Sequence, residues 1–141
     1  MIMKKILLVL ALIITVAGIA QKNDVAPDAA KAAFSKAYSG AKNVKWEKEN
    51  SNFEVSFTLN GQEASAIYDS KGTLLEFEQE MKVTDLPTVV TAYMKEHYKR
   101  DTVKGAAKIT KAGGAVNYEA EIKGKDVIFD EKGKFIKEVK D

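Results

Sequence analysis

The sequence predicts an α+β fold, in which two tandem α-β-β-β-β repeats form a largely antiparallel sheet of about eight strands with two helices packed on one face. One observation behind this prediction is that the same series of motifs occurs twice, about 60 residues apart, as expected of a repeated structural unit. The other is that each copy starts with apolar residues at helical spacing and continues with alternating apolar and polar residues, which is typical of half-buried strands.

Matching segments define the repeats. Three pairs of segments match in the same order: Pro27 with Pro87, 53–57 with 118–122, and 68–72 with 129–133. We therefore predict one domain over residues 21–141, made of two repeats at about 25–84 and 85–141.

The N-terminal segment predicts export from the cytoplasm. Two lysines precede an apolar run at 6–20, which is shorter than the roughly 20 residues that a membrane-spanning helix needs. Small residues at Gly18 and Ala20 are typical of a cleavage site. We therefore predict a signal peptide at 1–20, a periplasmic or secreted location, and no membrane insertion after cleavage. An uncleaved N-terminal anchor is the alternative.

Charge and cysteine content exclude several classes of function. The chain has 22 basic and 20 acidic residues, and loss of Lys4 and Lys5 with the signal peptide would leave 20 of each. Such a balance argues against a nucleic-acid partner. The sequence contains no cysteine, which excludes disulfides, thiol catalysis and cysteine-ligated metal sites.

Each repeat is predicted to begin with one helix. A proline stands at the start of both helices, at Pro27 and Pro87, and Gly40 follows the first one. The residues that share the apolar face are Ala30, Phe34, Ala37 and Tyr38 in the first helix, and Val90, Tyr93, Met94 and His97 in the second.

Four strands are predicted to follow each helix, starting near Val44 and Trp46 in the first repeat and near Ile109 in the second. Asn60-Gly61 predicts a type I′ hairpin turn, because both central residues of that turn need a positive φ. The inward residues in the first repeat are Phe53, Val55, Phe57, Leu59, Ala64, Ala66, Tyr68, Leu75, Phe77 and Met81. Those in the second are Tyr118, Ala120, Ile122, Ile128, Phe135 and Val139.

The order of these motifs resembles that of the PepSY-like exported proteins of Bacteroidetes, which resemble beta-lactamase inhibitory protein in fold. The motifs are Trp46, Phe-Glu-Val at 53–55, Tyr-Asp-x-x-Gly at 68–72, Leu-Leu-Glu-Phe-Glu at 74–78, and Leu-Pro at 86–87. The resemblance implies a tandem-repeat domain in the periplasm or outside the cell, with ligand binding or inhibition through the open face of the sheet. The inhibitor's disulfide cysteines are missing here, so the resemblance extends to the fold and not to its target.

Residues suited to catalysis are sparse. His97 is the one histidine, and the sequence has no Gly-x-Ser-x-Gly motif. Asp69 to Gly72 and Asp130 to Gly133 could suggest calcium, but Asp and Gly at these positions are typical of a type I turn between strands. We predict no catalytic residue, no cofactor and no metal-binding residue, and hence a protein that is not an enzyme.

Acidic residues at outward strand positions are the candidate binding residues. The glutamates expected on the face opposite the helices are Glu54, Glu76, Glu78, Glu80, Glu119 and Glu121, of which all but Glu80 are candidate binding residues. Trp46 is the candidate aromatic residue there. Such a face could bind a basic peptide or protein. The alternatives are a solvated face where Lys45, Lys48, Lys123 and Lys137 interleave with the glutamates, and a core position for Trp46.

We therefore predict an exported, non-enzymatic binding or interaction module, with protein inhibition as one form of that activity. The expected partner is a protein or peptide bound by the helix-free face of the sheet. The alternative is a small-ligand-binding or structural accessory protein of the cell envelope.

Overall fold

The computed structural model describes residues 25–140, so the predicted signal peptide at 1–20 lies outside the described residues. The elements are α1 (Asp28–Ala37), β1 (Lys42–Glu49), β2 (Asn52–Leu59), β3 (Gln62–Tyr68), β4 (Leu74–Met81), a 3₁₀ turn (Val83–Asp85), α2 (Thr88–His97), β5 (Gly105–Lys111), β6 (Val116–Ile122), β7 (Lys125–Asp130) and β8 (Phe135–Lys140). All eight strands form one sheet in chain order, and each pairs antiparallel with the next. The predicted fold class is confirmed.

Both helices begin directly after a proline and bury a narrow apolar stripe. The buried residues are Ala30 and Phe34 in α1, and Val90 and Met94 in α2. Ala37 and His97 were expected on the buried faces, but both are exposed. Each is the last residue of its helix, where the chain turns away toward the next strand.

Each repeat has its own hydrophobic core cluster. In the first repeat the buried members are Ala30, Phe34, Val55, Phe57, Ala64, Ala66 and Tyr68. In the second they are Leu86, Val90, Met94, Ala106, Ala120, Ile122, Val127 and Phe129. The two clusters lie side by side on the sheet rather than merging.

Both helices cover the same face of the sheet. Residues that are paired in register point to the same side, and one such row runs from the first core to the second. Its members are Ala64, Gln79, Lys108, Tyr118 and Phe129. Because Ala64 contacts the core under α1 and Phe129 the core under α2, the opposite face carries no helix in the described chain.

Some inward positions were predicted wrongly. In β7, Val127 and Phe129 point toward α2, so Ile128 between them lies on the opposite face, paired with Glu119. Val139, which pairs with Asp126, shares that opposite face. In β4 a shift in register places Leu74 opposite Tyr68, and Leu74, instead of the expected Leu75, packs against the first core.

The repeated Asp-x-x-Gly motif forms the same turn in both repeats. Asp69 Oδ1 accepts hydrogen bonds from the backbone N–H of Lys71 and of Thr73, each at 2.9 Å. Asp130 Oδ1 accepts the equivalent bonds from Lys132 at 2.9 Å and Lys134 at 2.8 Å. The turn interpretation is therefore confirmed. The Asn60-Gly61 hairpin is also confirmed, since both residues have positive φ.

A buried hydroxyl in the first core predicts a stabilising substitution. Tyr68 is 1% exposed, and its hydroxyl makes no hydrogen bond within the described part of the chain. Burial raises the pKa of Tyr68 to about 12. The equivalent residue of the second repeat is Phe129. We expect Tyr68→Phe to stabilise the fold by about 1 kcal/mol, because it removes an unsatisfied polar group.

Urea unfolding of the two proteins would check this expectation. Tyr98→Phe is the matched control, because the Tyr98 hydroxyl donates a hydrogen bond to Glu138 and the same chemical change should there lower stability. A destabilised Tyr68→Phe variant would contradict the assignment of an unpaired hydroxyl.

Candidate functional site

The helix-free face is the side of the sheet opposite α1 and α2. The structure places the predicted glutamates on this face: Glu54 on β2, Glu76, Glu78 and Glu80 on β4, and Glu119 and Glu121 on β6. They lie there because β-strand side chains alternate between faces, and the residues between them face the helices.

Trp46 lies on the other face. It pairs with Val55 on β2, and its ring centroid is 5.6 Å from that of Phe34 and 5.9 Å from that of Tyr68. The alternation of β1 gives Lys45 and Glu47 the helix-free positions. The expectation that Trp46 would share the face of the glutamates is therefore corrected, and this residue packs against the first core.

The centre of the helix-free face is buried. Glu78 is 4% exposed and Glu119 is 5% exposed, and Ser65 and Asp126 are also buried. Buried apolar residues share the face, namely Ala107, Ile109 and Ile128. Sequence reasoning missed this apolar set. The continuous apolar run at 127–129 was the available signal, because a strand buried on both faces loses its alternation.

Glu78 is the most perturbed carboxyl group of the face. Its burial, together with the charge of Glu119 and then those of Glu76, Glu54 and Asp126, raises its pKa to about 9. Its Oε1 is buried and has no hydrogen-bond partner among the described residues. A buried polar atom without a partner costs about 1–3 kcal/mol, so the Glu78 carboxyl group lacks one hydrogen bond.

Glu54 shows a weaker form of the same effect. Burial raises its pKa to about 7, with further contributions from Glu49 and Glu47, while a hydrogen bond with Ser65 opposes the rise. Like charges on adjacent positions are destabilising. The face thus brings several carboxylates close enough to raise the pKa of Glu54 and Glu78.

Few lysines balance this acidic surface. Lys111 pairs with Glu76, and Lys45 lies 2.5 Å from Glu47 on the edge strand β1. Lys137 also lies on the helix-free face, opposite Ile128. Lys48, which was expected to interleave with the glutamates, faces the helix side because it pairs with Phe53. The lysines therefore lie around the buried acidic centre rather than within it.

An acidic trough crosses the junction between the two repeats. We define it by the walls Glu78 and Glu80 on β4 and Glu119 and Glu121 on β6, and by the floor Gly105 and Ala107 on β5. The floor is low because neither residue has a long side chain. At Gly105 an added Cβ would lie 2.7 Å from Glu121 Oε2, so glycine lets this carboxylate lie over β5.

An open cavity adjoins the trough. It has a volume of about 450 Å³ and is lined by residues of both repeats, among them Glu80, Ala107, Glu119 and Glu121. Lys82 and Lys104 also line it, and both are exposed. The cavity makes one end of the trough accessible from solvent.

Three further features were considered as candidates: His97, a metal site and a membrane-spanning helix. His97 stacks on Tyr93 with ring centroids 4.1 Å apart and has about half of its side chain exposed. Within residues 25–140, no group of three or more histidines or carboxylates is placed to hold a metal ion. No helix in that range is long and apolar enough to cross a membrane.

Comparison with known proteins identifies the family. The profile of the family described as "Putative beta-lactamase-inhibitor-like, PepSY-like" matches residues 18–76 and again 60–137. The chain belongs to this family. The PepSY-like resemblance seen in the motifs is thereby confirmed, and so is the tandem arrangement of the domain.

Solved structures similar to this PepSY-like chain share its fold. They include a "putative periplasmic protein" from Bacteroides eggerthii, with a TM-score of 0.73, 14% identity, and coverage of 80% of this chain and 87% of that one. A BLIP-like protein from Bacteroides fragilis has a TM-score of 0.64, 24% identity, and coverage of 80% and 84%. A DUF2874 family protein from Bacteroides uniformis has a TM-score of 0.72, 18% identity, and coverage of 80% and 88%. No match was found among curated protein sequences.

Proposed function

We propose that this PepSY-like protein is an exported, non-enzymatic binding module that holds a basic segment of a partner protein on its helix-free face. The observation that carries this proposal is the convergence of Glu54, Glu76, Glu78, Glu119 and Glu121 on that one face. A basic partner would compensate the carboxylates that the chain itself leaves close together.

Apolar residues lie beside the glutamates on the same face. Ile109 lies directly opposite Glu78, and Ile128 lies directly opposite Glu119. Both are already buried, at 3% and 4% exposed, so they offer a partner little further apolar area. The attraction rests on the charges, which give orientation and speed of association, and a partner segment rich in lysine or arginine fits this pattern.

The family and the similar structures supply the rest of the proposal. The family description includes beta-lactamase-inhibitor-like proteins, which favours inhibition of a partner enzyme as one form of the binding activity. The similar protein of Bacteroides eggerthii is described as "putative periplasmic". Together with the predicted signal peptide at 1–20, this supports a periplasmic or secreted location.

Charge reversal on the face should abolish partner binding. We expect the triple variant Glu76→Lys, Glu78→Lys and Glu119→Lys to lose the partner, with affinity at least about tenfold weaker, because it replaces attraction by repulsion. The experiment uses residues 21–141, which contain every described residue, to capture partners from envelope and culture-medium fractions. The affinity of the purified partner is then measured at low and high salt.

The control variant makes the same change in net charge away from the face, through Glu96→Lys, Asp101→Lys and Glu131→Lys at three exposed positions. It should retain the partner. Equal losses in both triple variants would mean that net charge alone governs binding, and would overturn the assignment of the helix-free face.

A small basic ligand is a second candidate, favoured by the cavity of about 450 Å³ at the junction of the repeats. Native mass spectrometry of the protein purified from its own cells would show a bound small molecule in that case. Such a ligand should be displaced by Ala107→Leu, which would fill the floor of the trough.

A further inference from the structure

We propose that the acidic trough is a subsite for one lysine side chain of the partner, held by its ammonium group between the two glutamate walls. This inference rests on the proposed function, because the lysine belongs to the segment bound by the helix-free face. It specifies where on that face the partner binds, and which chemical group of the partner binds there.

The spacing of the trough fits an ammonium group. The walls stand on β4 and β6, with β5 between them, so their backbones are about 9–10 Å apart. Glu80, Ala107 and Glu119 lie in one row across the three strands. Carboxylates that lean inward from both walls can therefore reach one nitrogen above Ala107.

The unpartnered oxygen of Glu78 is an independent sign of a missing hydrogen-bond partner. Its Oε1 is buried without a hydrogen bond among the described residues, and Glu78 as a whole is 4% exposed. The charge of Glu119, on the facing wall, acts directly on Glu78. A cation between the walls would satisfy the oxygen and reduce this repulsion at the same time.

A lysine suits the trough better than an arginine. An ammonium donates three hydrogen bonds that diverge from one point, whereas a guanidinium presents a planar fork suited to a single carboxylate. Donors that diverge can contact both walls. The apolar stem of lysine can lie in the open cavity that adjoins the trough, while its charged end remains at the carboxylates.

The trough arises only where the two repeats meet in the described chain. Ala107 and Gly105 of β5 correspond to Glu47 and Lys45 of β1, because β5 pairs with β6 as β1 pairs with β2. β1 is an edge strand, and its larger side chains give no low floor. The duplication of the repeat thus produced one subsite and not two.

The test uses Nα-acetyl-lysine N-methylamide as the probe, with the norleucine and arginine analogues as matched ligands that differ only in the side chain. Binding to residues 21–141 is followed by the NMR signals of the methyl groups of Ala107 and Ile109. We expect saturable shifts with the lysine analogue, weaker shifts with the arginine analogue, and none with norleucine. Equal shifts with lysine and norleucine analogues would overturn the proposal.

Variants of the protein test whether the carboxyl group of Glu78 binds the ammonium group. We expect Glu78→Gln to weaken binding of the lysine analogue about tenfold at pH 8, because glutamine cannot lose a proton to give the charged acceptor that the complex needs. Glu47→Gln makes the same chemical change on the same face, on the edge strand β1, and should have little effect. Equal weakening by both variants would mean that the probe is attracted only by the overall electrostatic potential of the face, and would overturn the proposed subsite.

The pH dependence gives a second readout. Binding of an ammonium requires Glu78 to lose its proton, so affinity should rise between pH 6 and pH 8, by at most about tenfold per pH unit. Charged and titratable groups that face Glu78 are Glu54 on β2, Glu76 and Glu80 on β4, Lys111 on β5, Glu119 and Glu121 on β6, and Asp126 on β7. The Glu78→Gln variant should reduce the slope, and an unchanged slope would contradict the role of this carboxyl group.

The two proposals fail in different ways. If the lysine analogue does not bind while the triple charge-reversal variant still loses the partner, the subsite is wrong and the helix-free face stands. If the analogue binds in the trough while both triple variants retain the partner, the proposed function is wrong and the trough stands.

Discussion

Replacement of Gly72 by alanine is expected to destabilise the folded protein by about 3–4 kcal/mol. Gly72 has a φ of +84°, and an added Cβ would lie 2.5 Å from the carbonyl oxygen of Ala29 and 2.8 Å from its carbonyl carbon. The obstacle is the backbone of α1, which cannot rotate away. The backbone conformation alone costs an L-residue about 1–2 kcal/mol, and the clash adds to it.

The glycines of the chain provide a graded series of controls. Gly61 has a φ of +79° with nothing within 4 Å of an added Cβ, so Gly61→Ala should show the conformational cost alone. At Gly133 the nearest atom is Val89 Cβ at 3.0 Å, a milder contact that a shift of a few tenths of an ångström relieves, so an intermediate loss is expected. Urea unfolding of the three variants gives the order, and equal losses at Gly72 and Gly61 would show that α1 does not press on the turn.

These contacts reveal what the repeated Asp-x-x-Gly motif does for the fold. In the first repeat its glycine lies against Ala29, the second residue of α1, and in the second repeat against Val89, the second residue of α2. The turn after the third strand thus seats the first turn of the helix on the sheet. The sequence could predict the turn from its Asp and Gly, but the contact with the helix follows only from packing.

The elements were predictable because each depends on neighbours in the chain. Helical spacing predicted α1 and α2, alternation predicted β2, and Asn60-Gly61 predicted the turn that the structure shows. Alternation places neighbouring residues on different faces, but it does not tell which face a helix will cover. Ile128 was expected on the wrong face because the apolar run at 127–129 has no polar side. Trp46 was expected on the wrong face although its polar neighbours, Lys45 and Glu47, indicate an inward position.

The site was predictable only in part. Alternation around Glu54, Glu76, Glu78, Glu119 and Glu121 was enough to expect them on one face. The trough could not be expected, because it depends on the register of β4 against β5 and of β5 against β6. Registers between distant strands are fixed by packing of the whole sheet, and a shift of one residue would move every side chain to the other face.

Glu78→Gln is expected to stabilise the protein by up to about 4 kcal/mol at pH 7.5 and to leave its stability at pH 4.5 nearly unchanged. Burial, with the charge of Glu119 next in importance, raises the pKa of Glu78 from 4.5 to about 9 in the folded state. Below pH 4.5 the carboxyl is protonated in both states and costs nothing electrostatically. Above it the unfolded chain releases the proton while the folded chain retains it, so stability falls as the pH rises toward 9.

Glutamine resembles the protonated acid in shape and does not titrate, so the variant should lose this part of the pH dependence. Urea unfolding midpoints at pH 4.5 and 7.5 would measure the effect. Glu96→Gln, at an exposed position in α2, is the matched control and should change neither midpoint by much. Equal shifts of the Glu78→Gln midpoint at both pH values would contradict a buried carboxyl with a raised pKa.

The loss of stability that Glu78 causes at neutral pH bears on function. A carboxyl that lowers stability at neutral pH is retained in a sheet where glutamine would fit, and its oxygen lacks a donor among the described residues. Functional sites often carry such a stability cost, because groups arranged for a ligand are strained or desolvated without it. If the trough holds a lysine of the partner, the same Glu78→Gln change should stabilise the free protein and weaken the complex. A variant that stabilises the free protein and binds the lysine analogue equally well would assign Glu78 a role in the sheet alone.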